Sequence, residues 1–142
     1  MASEQIRFGI RSPALQEAGF TPNAVVTLEK VPPGTLEPEQ ILRAQFNTLE
    51  KRLNLDPNDV VATPVGVCGF TGLKTVYTAP AINDARGQVA SRRATSVAVV
   101  YESASAQYVA TVTVQTVNAN NPSYVEDLAT ILDGFQVLSP PR

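Results

Sequence analysis

Few residues in this sequence are of the types that carry out catalysis. The chain of 142 residues contains no His and a single Cys. Without His or paired Cys, the usual zinc sites, Ser–His–Asp triads and Cys–His dyads cannot form. A single Cys also excludes an internal disulfide. We therefore expect a protein that is not an enzyme and has no metal and no cofactor, and we interpret Cys68 as a small, buried, inert thiol.

Two pairs of carboxylates lie close together in the sequence. Asp56 and Asp59 flank a turn, and Glu126 and Asp127 lie near the start of a helical segment. A general acid and its base need converging side chains with separated pKa values. The turn and helix capping explain these residues more simply. A small hydrolase or transferase that works without His is the alternative hypothesis.

Arginine and tyrosine side chains are the other candidates for a binding site. Arg92 and Arg93 are adjacent, with Arg86 nearby and Lys74 on a neighbouring strand. These cations either contact an anion or a lipid headgroup, or are solvated at a strand end. In a strand, Arg92 and Arg93 point to opposite faces, so at most one of them faces a given site. The four tyrosines either line a pocket between the sheet and the helices or pack in the core and at its rim. They are Tyr77, Tyr101, Tyr108 and Tyr124. The binding residues that we predict from these sets are Arg92, Arg93, Tyr77, Tyr101 and Tyr108.

A hairpin at residues 94–117 is the element around which the rest is organised. Apolar side chains at Tyr108, Ala110, Val112 and Val114 alternate with a row rich in Thr. This period of two predicts a strand with one face against a core and the other nearer water, as in an antiparallel sheet. Residues 94–101 form its partner strand, and helices must cover the apolar face.

Further strands and two helices complete the predicted fold. We predict strands at 5–10, 23–31, 60–67 and 73–78 and a short last strand at 135–138, with breaks at Gly69 and Gly72 and a polar loop at 80–90. A short helical turn is expected within 12–19. The first helix spans 38–53, where Leu42, Phe46 and Leu49 form an apolar stripe. The second begins with a capping box at Ser123–Glu126, turns Val125, Leu128 and Leu132 inward, and ends with Gly134 at its C′ position. The fold class is therefore α+β: an antiparallel sheet of six to seven strands covered by two helices.

The composition fits one globular domain over residues 1–142, with flexible tails at 1–4 and 139–142. Apolar residues make up 44% of the chain and the net charge is −2. Because the net charge is small and charges of both signs are interspersed, there is no reason to expect nucleic acid as a partner. No apolar run is long enough for a transmembrane segment.

Several short strings, in this order and spacing, resemble the mycobacterial LpqN-type lipoprotein and secreted-antigen family. The strings lie at residues 24–28, 36–39, 68–70, 91–93, 108–112 and 131–135. The resemblance implies a PsbP-like fold, which is an antiparallel sheet sandwiched by helices. It also implies an exported protein of the cell envelope or the extracellular space, often lipid-anchored at a Cys after a signal peptide.

The resemblance supplies no catalytic residues. It implies a binding or adaptor module whose partner is an envelope or host protein or a lipid-like molecule. No Cys lies near the start of this chain, so we expect either that an anchored leader was removed or that the protein is secreted in soluble form. A structural domain of a longer secreted protein is a further hypothesis. The oligomeric state is open.

Overall fold

A sheet of six antiparallel strands forms the centre of the protein. The computed structural model describes residues 5–15, 22–31, 36–84, 87–102 and 106–136, without the side chains of residues 5–8, 84, 88 and 89. The strands are β1 (Gln5–Arg11), β2 (Asn23–Val31), β3 (Val61–Val67), β4 (Phe70–Ala79), β5 (Ile82–Asp84), β6 (Gly87–Val89), β7 (Arg92–Glu102) and β8 (Gln107–Thr116). The helices are α1 (Pro38–Leu53) and α2 (Pro122–Gly134), and short 3-10 turns lie at Pro13–Leu15 and Pro57–Asp59. The order in the large sheet is β1-β2-β8-β7-β4-β3, while β5 and β6 form a separate hairpin.

The predicted central hairpin is confirmed as β7 and β8, which pair from Arg93 with Thr116 to Glu102 with Gln107. Val112 is 2% exposed and Val114 is 3% exposed, as the alternation predicted. The other face is not simply open to water. Val109 is also buried, because α1 covers that end of β8.

The two helices lie on opposite faces of the sheet. Ile41 and Leu42 of α1 pack against a cluster that includes Val109, whereas Tyr124 of α2 packs against a cluster that includes Val112. Residues 109 and 112 are three positions apart in one strand, so their side chains point to opposite faces. The architecture is therefore the α/β/α sandwich that the sequence predicted.

Helix α1 has the predicted bounds, and its ends show why. Pro38 occupies the first turn, where the missing N–H costs nothing, and the Gln40 side chain accepts a hydrogen bond from the Glu37 N–H at 2.9 Å. At the other end, Asn54 adopts a left-handed conformation with φ 52°. Asn is among the few residues that accept this conformation readily, and it closes the helix.

Helix α2 begins differently from the prediction. Its N-cap is Asn121, whose Oδ1 accepts from the Ser123 N–H at 3.0 Å. Pro122 is favoured at the first helical position, so the helix starts two residues earlier than a Ser123–Glu126 capping box requires. Gly134 is the last helical residue, and Phe135 follows as the C-cap with φ −68°. The predicted C′ role of Gly134 is therefore wrong.

Two predictions about exposure are also wrong. Val125 is 50% exposed, because the inward face of α2 is set by Tyr124, Leu128 and Ile131. Cys68 is exposed rather than buried. It lies with Gly69 in the two-residue turn between β3 and β4, where both residues have positive φ. A tight hairpin of this kind places its turn residues in solvent.

The strand boundaries differ from the prediction in three places. Gly72 does not break a strand but lies inside β4, opposite Val99 of β7. The polar loop at residues 80–90 contains the β5–β6 hairpin. Phe135 directly follows α2 and is not in a strand. Residues 137 and 138 of the predicted last strand, Arg86, both predicted tails, and the end of the helical turn after Leu15 lie outside the described residues.

Candidate functional site

In the described part of the chain, a cleft lies beside each of the two helices. The first, of about 390 Å³, lies between the start of α1 and the β3–β4 hairpin. The second, of about 300 Å³, lies between α2 and the adjoining ends of β1, β2 and β8. We name the second the α2 cleft. It is the better candidate site because four segments far apart in sequence converge on it.

Both apolar and polar side chains line the α2 cleft. The apolar residues are Ile10, Leu15, Pro22, Ala24, Val114 and Ile131. The polar residues are Arg11, Ser12, Asn23, Asp127 and Thr130, together with Tyr124. Ile10 is 44% exposed, so part of this apolar wall faces solvent. An apolar concave site with a few polar groups at its rim is the usual form of a binding pocket.

Local hydrogen bonds hold the sides of the α2 cleft in place. The Ser12 N–H donates to the Pro22 carbonyl at 2.9 Å, which ties the end of β1 to the segment that leads into β2. The Leu15 N–H donates to the Ser12 carbonyl at 3.1 Å and forms the 3-10 turn. The Asn121 cap fixes the start of α2, and therefore the position of Tyr124 on the sheet. The backbone groups in these bonds therefore already have hydrogen-bond partners within the protein.

Tyr124 is the buried polar side chain at the base of α2. It is 4% exposed and its ring packs in the cluster with Val112 and Val114. Its hydroxyl is buried without a hydrogen-bond partner. Desolvation by burial raises the pKa of Tyr124 to about 12. The phenol is therefore neutral at physiological pH and contributes ring packing rather than charge.

The two predicted arginines lie on opposite faces of β7, as expected. Arg92 donates to Gln115 Oε1 at 3.2 Å and to the Ala90 carbonyl at 3.3 Å. Arg93 donates to Asp59 Oδ1 at 3.1 Å and to Thr78 Oγ1 at 2.9 Å. Both guanidinium groups are therefore engaged within the protein, and neither lines the α2 cleft.

Asp59 is part of the network that connects the Pro57–Asp59 turn to the sheet. The Thr78 hydroxyl and the Thr78 N–H donate to its carboxylate, and Arg93 adds a further hydrogen bond and a positive charge. Together these contacts hold the pKa of Asp59 below its ordinary value of 3.8. Asp56 instead accepts from the Asn58 N–H at 2.9 Å. Asp59 thus connects the turn to the sheet, whereas Asp56 accepts a hydrogen bond within the turn.

The tyrosines do not line one pocket. Tyr77 is buried on the α1 face, with its ring 6.1 Å from that of Phe46. Tyr101 and Tyr108 stack at 5.4 Å on the opposite face, close to the connection between β7 and β8. Tyr124, which was not among the predicted binding residues, is the tyrosine that lines the α2 cleft.

Sequence reasoning missed most of the residues of the α2 cleft. Tyr124, Leu128 and Ile131 are spaced by four and three residues, and this spacing indicates a shared helix face. The contribution of Ile10 could not be found in this way, because it depends on β1 being the edge strand beside α2. The position of β1 in the sheet is not encoded in the local pattern.

The described residues include neither a cluster of potential metal ligands nor a helix suited to crossing a membrane. No group of three His, Cys, Asp or Glu side chains is placed to hold a metal ion there. Within those same ranges, no helix has both the length and the apolar content that a membrane crossing requires.

The chain shares its fold with two solved structures. LpqN of Mycobacterium tuberculosis, a protein involved in cell envelope biogenesis, superposes with a TM-score of 0.61 at 16% identity, covering 98% of this chain and 86% of LpqN. PA94 of Pseudomonas aeruginosa, a protein of unknown function for which a regulatory role is suggested, gives a TM-score of 0.55 at 15% identity and covers 99% of this chain and 86% of PA94. At such identities the similarity shows the fold alone. No family profile matches the chain, and no curated protein matches it significantly.

Proposed function

We propose that the protein is a non-enzymatic, exported binding or adaptor module of the cell envelope that takes an apolar group of its partner into the α2 cleft. The observation that carries the proposal is the cleft itself, with an apolar wall that is partly open to solvent. The fold shared with LpqN supports the envelope setting and membership of the LpqN-type family. The absence of His from the sequence supports binding rather than catalysis.

The size of the α2 cleft limits what it can accept. Its volume of about 300 Å³ is at the lower end of the range for small-molecule pockets, which is roughly 300–1,000 Å³. Such a space fits one large apolar side chain or a short alkyl group. It is small for the paired acyl chains of a membrane lipid. We therefore place a protein partner, from the envelope or the host, ahead of a lipid-like molecule.

Filling the α2 cleft tests this proposal. Thr130 is exposed on the rim, and its hydroxyl donates to the Glu126 carbonyl one helical turn earlier at 3.1 Å. Thr48 makes the same bond to the Ala44 carbonyl at 3.0 Å and lines neither cleft. Thr130→Trp and Thr48→Trp are thus a matched pair of variants.

The chain contains no Trp, so each variant carries a single tryptophan whose fluorescence reports its surroundings. We expect a blue-shifted emission for T130W and not for T48W. Titration with the amphiphilic dye ANS, whose aromatic rings bind apolar sites, should show affinity about tenfold lower for T130W than for the wild type, with T48W unchanged. Equal dye binding by both variants, or none by the wild type, would contradict the assignment of the cleft.

The envelope setting has a separate test. The native protein in fractionated source cells should be recovered with the envelope or in the medium. Recovery in the cytosol alone would contradict that part of the proposal and leave the cleft assignment untouched.

A further inference from the structure

The large sheet ends in two edge strands that differ in their capacity to accept another strand. The edges are β1 and β3. Pro64 lies in the middle of β3, opposite Leu73 of β4. Proline has no N–H, and within sheets it is tolerated where that position faces away from the neighbouring strand. The outer edge of β3 therefore lacks a donor at its centre, which is a common way to prevent strand addition.

The other edge, β1, has no such block. Residues Phe8–Arg11 pair in regular register with Val26–Asn23 of β2, after an irregularity between Ile6 and Phe8. No strand of the described chain pairs with the outer side of β1. Gly9, Ile10 and Arg11 are all exposed. This stretch thus offers about four residues of edge backbone in regular register, with which an extended peptide can pair as an added strand.

The α2 cleft lies directly beside this open edge. Ile10 pairs with Ala24 in the sheet, and both residues line the cleft. Side chains at one level of neighbouring strands point to the same face. A strand added next to β1 would therefore direct the side chain that neighbours Ile10 toward α2, where Ile131 and Thr130 form the opposite wall.

We propose that the protein binds an extended segment of a partner protein by strand addition to β1, with one apolar side chain of that segment held in the α2 cleft. This inference rests on the proposed function and names its partner class and binding mode. Two features favour a peptide over a lipid. The open backbone edge supplies hydrogen bonds that an acyl chain cannot use, and the volume of the cleft suits a single side chain.

The experiment uses the full chain and a phage library of random nine-residue peptides. We expect recovered peptides to carry one large apolar residue flanked by strand-forming residues. One recovered peptide is then synthesised in two N-methylated forms, which block alternate N–H groups along one edge or the other. Because only one edge of an added strand bonds to β1, one form should bind about tenfold or more weaker, and the other should stay close to the parent peptide.

Amide hydrogen exchange locates the contact. Protection should increase at residues 9–11 of β1 on peptide binding and not along β3. T130W should weaken binding of the parent peptide, while T48W should not.

The outcomes separate this inference from the proposed function. If peptides bind and compete with ANS but the two methylated forms are equal, strand addition is refuted and the cleft assignment stands. The same holds if no peptide is recovered although ANS binds. If the protein itself dimerises through β1 in sedimentation, and T130W abolishes the dimer, the occupant is a second copy and the partner class proposed here is wrong.

Discussion

Replacing Gly72 with Ala should destabilise the protein, whereas the same change at Gly66 should not. Gly72 lies inside β4, and a Cβ built there would be 3.0 Å from the Ala98 carbonyl oxygen, 3.1 Å from Val99 Cγ2 and 3.2 Å from Val65 Cγ2. Val99 is 0% exposed, so it has little room to move aside. A Cβ at Gly66 meets no atom within 4 Å.

The magnitude follows from two opposing effects. Overpacking a close-packed site costs typically about 1–3 kcal/mol. Replacing Gly with Ala restricts the unfolded chain and returns roughly 0.4–1 kcal/mol. The net loss for Gly72→Ala is therefore about 1–2 kcal/mol. At about 3 °C per kcal/mol for a chain of this size, the midpoint of thermal unfolding should fall by about 3–6 °C.

The assay is unfolding by urea and by heat, both followed by far-ultraviolet circular dichroism, with both variants measured beside the wild type. Gly66→Ala keeps only the effect on the unfolded chain, so it should be neutral or slightly stabilising. If the two variants lose the same stability, the close packing of Val65 and Val99 over Gly72 is not what makes glycine necessary there.

Four further substitutions concern polar groups, and chemical unfolding checks each of them. Thr111→Val should raise the free energy of unfolding by up to about 1 kcal/mol, because the Thr111 hydroxyl is buried without a partner. Thr113→Val should lower it by about 1 kcal/mol, because the Ser96 hydroxyl, 3.1 Å away, loses its partner; equal effects would refute this contrast. Tyr124→Phe should likewise stabilise by about 1 kcal/mol, since the Tyr124 hydroxyl is unpartnered, and a clear loss would contradict its burial in apolar surroundings. Because folding lowers the pKa of Asp59, its carboxylate stabilises the folded protein at pH values above 3.8, its ordinary pKa. This contribution is lost as the pH falls through the pKa that Asp59 has in the folded protein. Asp59→Asn should therefore be less stable than the wild type at neutral pH, with a gap that narrows below about pH 4, and a constant gap would argue against this contribution.

The sequence predicted the fold where the signals are local. The alternation around Val112 and the stripe along α1 each report one element and the face that it buries. The bounds of β2 and α1 match the prediction, since Pro38 and Asn54 mark the ends of α1. At α2 the same kind of reasoning chose the wrong cap, because Ser123 and Asn121 both offer capping side chains and the position of Pro122 decides between them.

The candidate site was much less predictable than the fold. Its wall joins Ile10, Ala24, Val114 and Ile131, which lie far apart in sequence and meet only because β1, β2 and β8 are neighbours in the sheet. Strand order is a long-range property that local periodicity does not contain. Arg92 and Arg93 lie on opposite faces of β7, as the sequence predicted, but neither of them lines the cleft.

The most direct test of the α2 cleft as the binding site is methyl NMR of the isoleucines during titration with ANS. Ile10 and Ile131 line the cleft, whereas Ile41 belongs to α1 and is buried against the opposite face of the sheet. We predict that the δ1-methyl signals of Ile10 and Ile131 shift with saturation and that the Ile41 signal stays in place. Shifts at Ile41 with none at Ile10 and Ile131 would contradict the account.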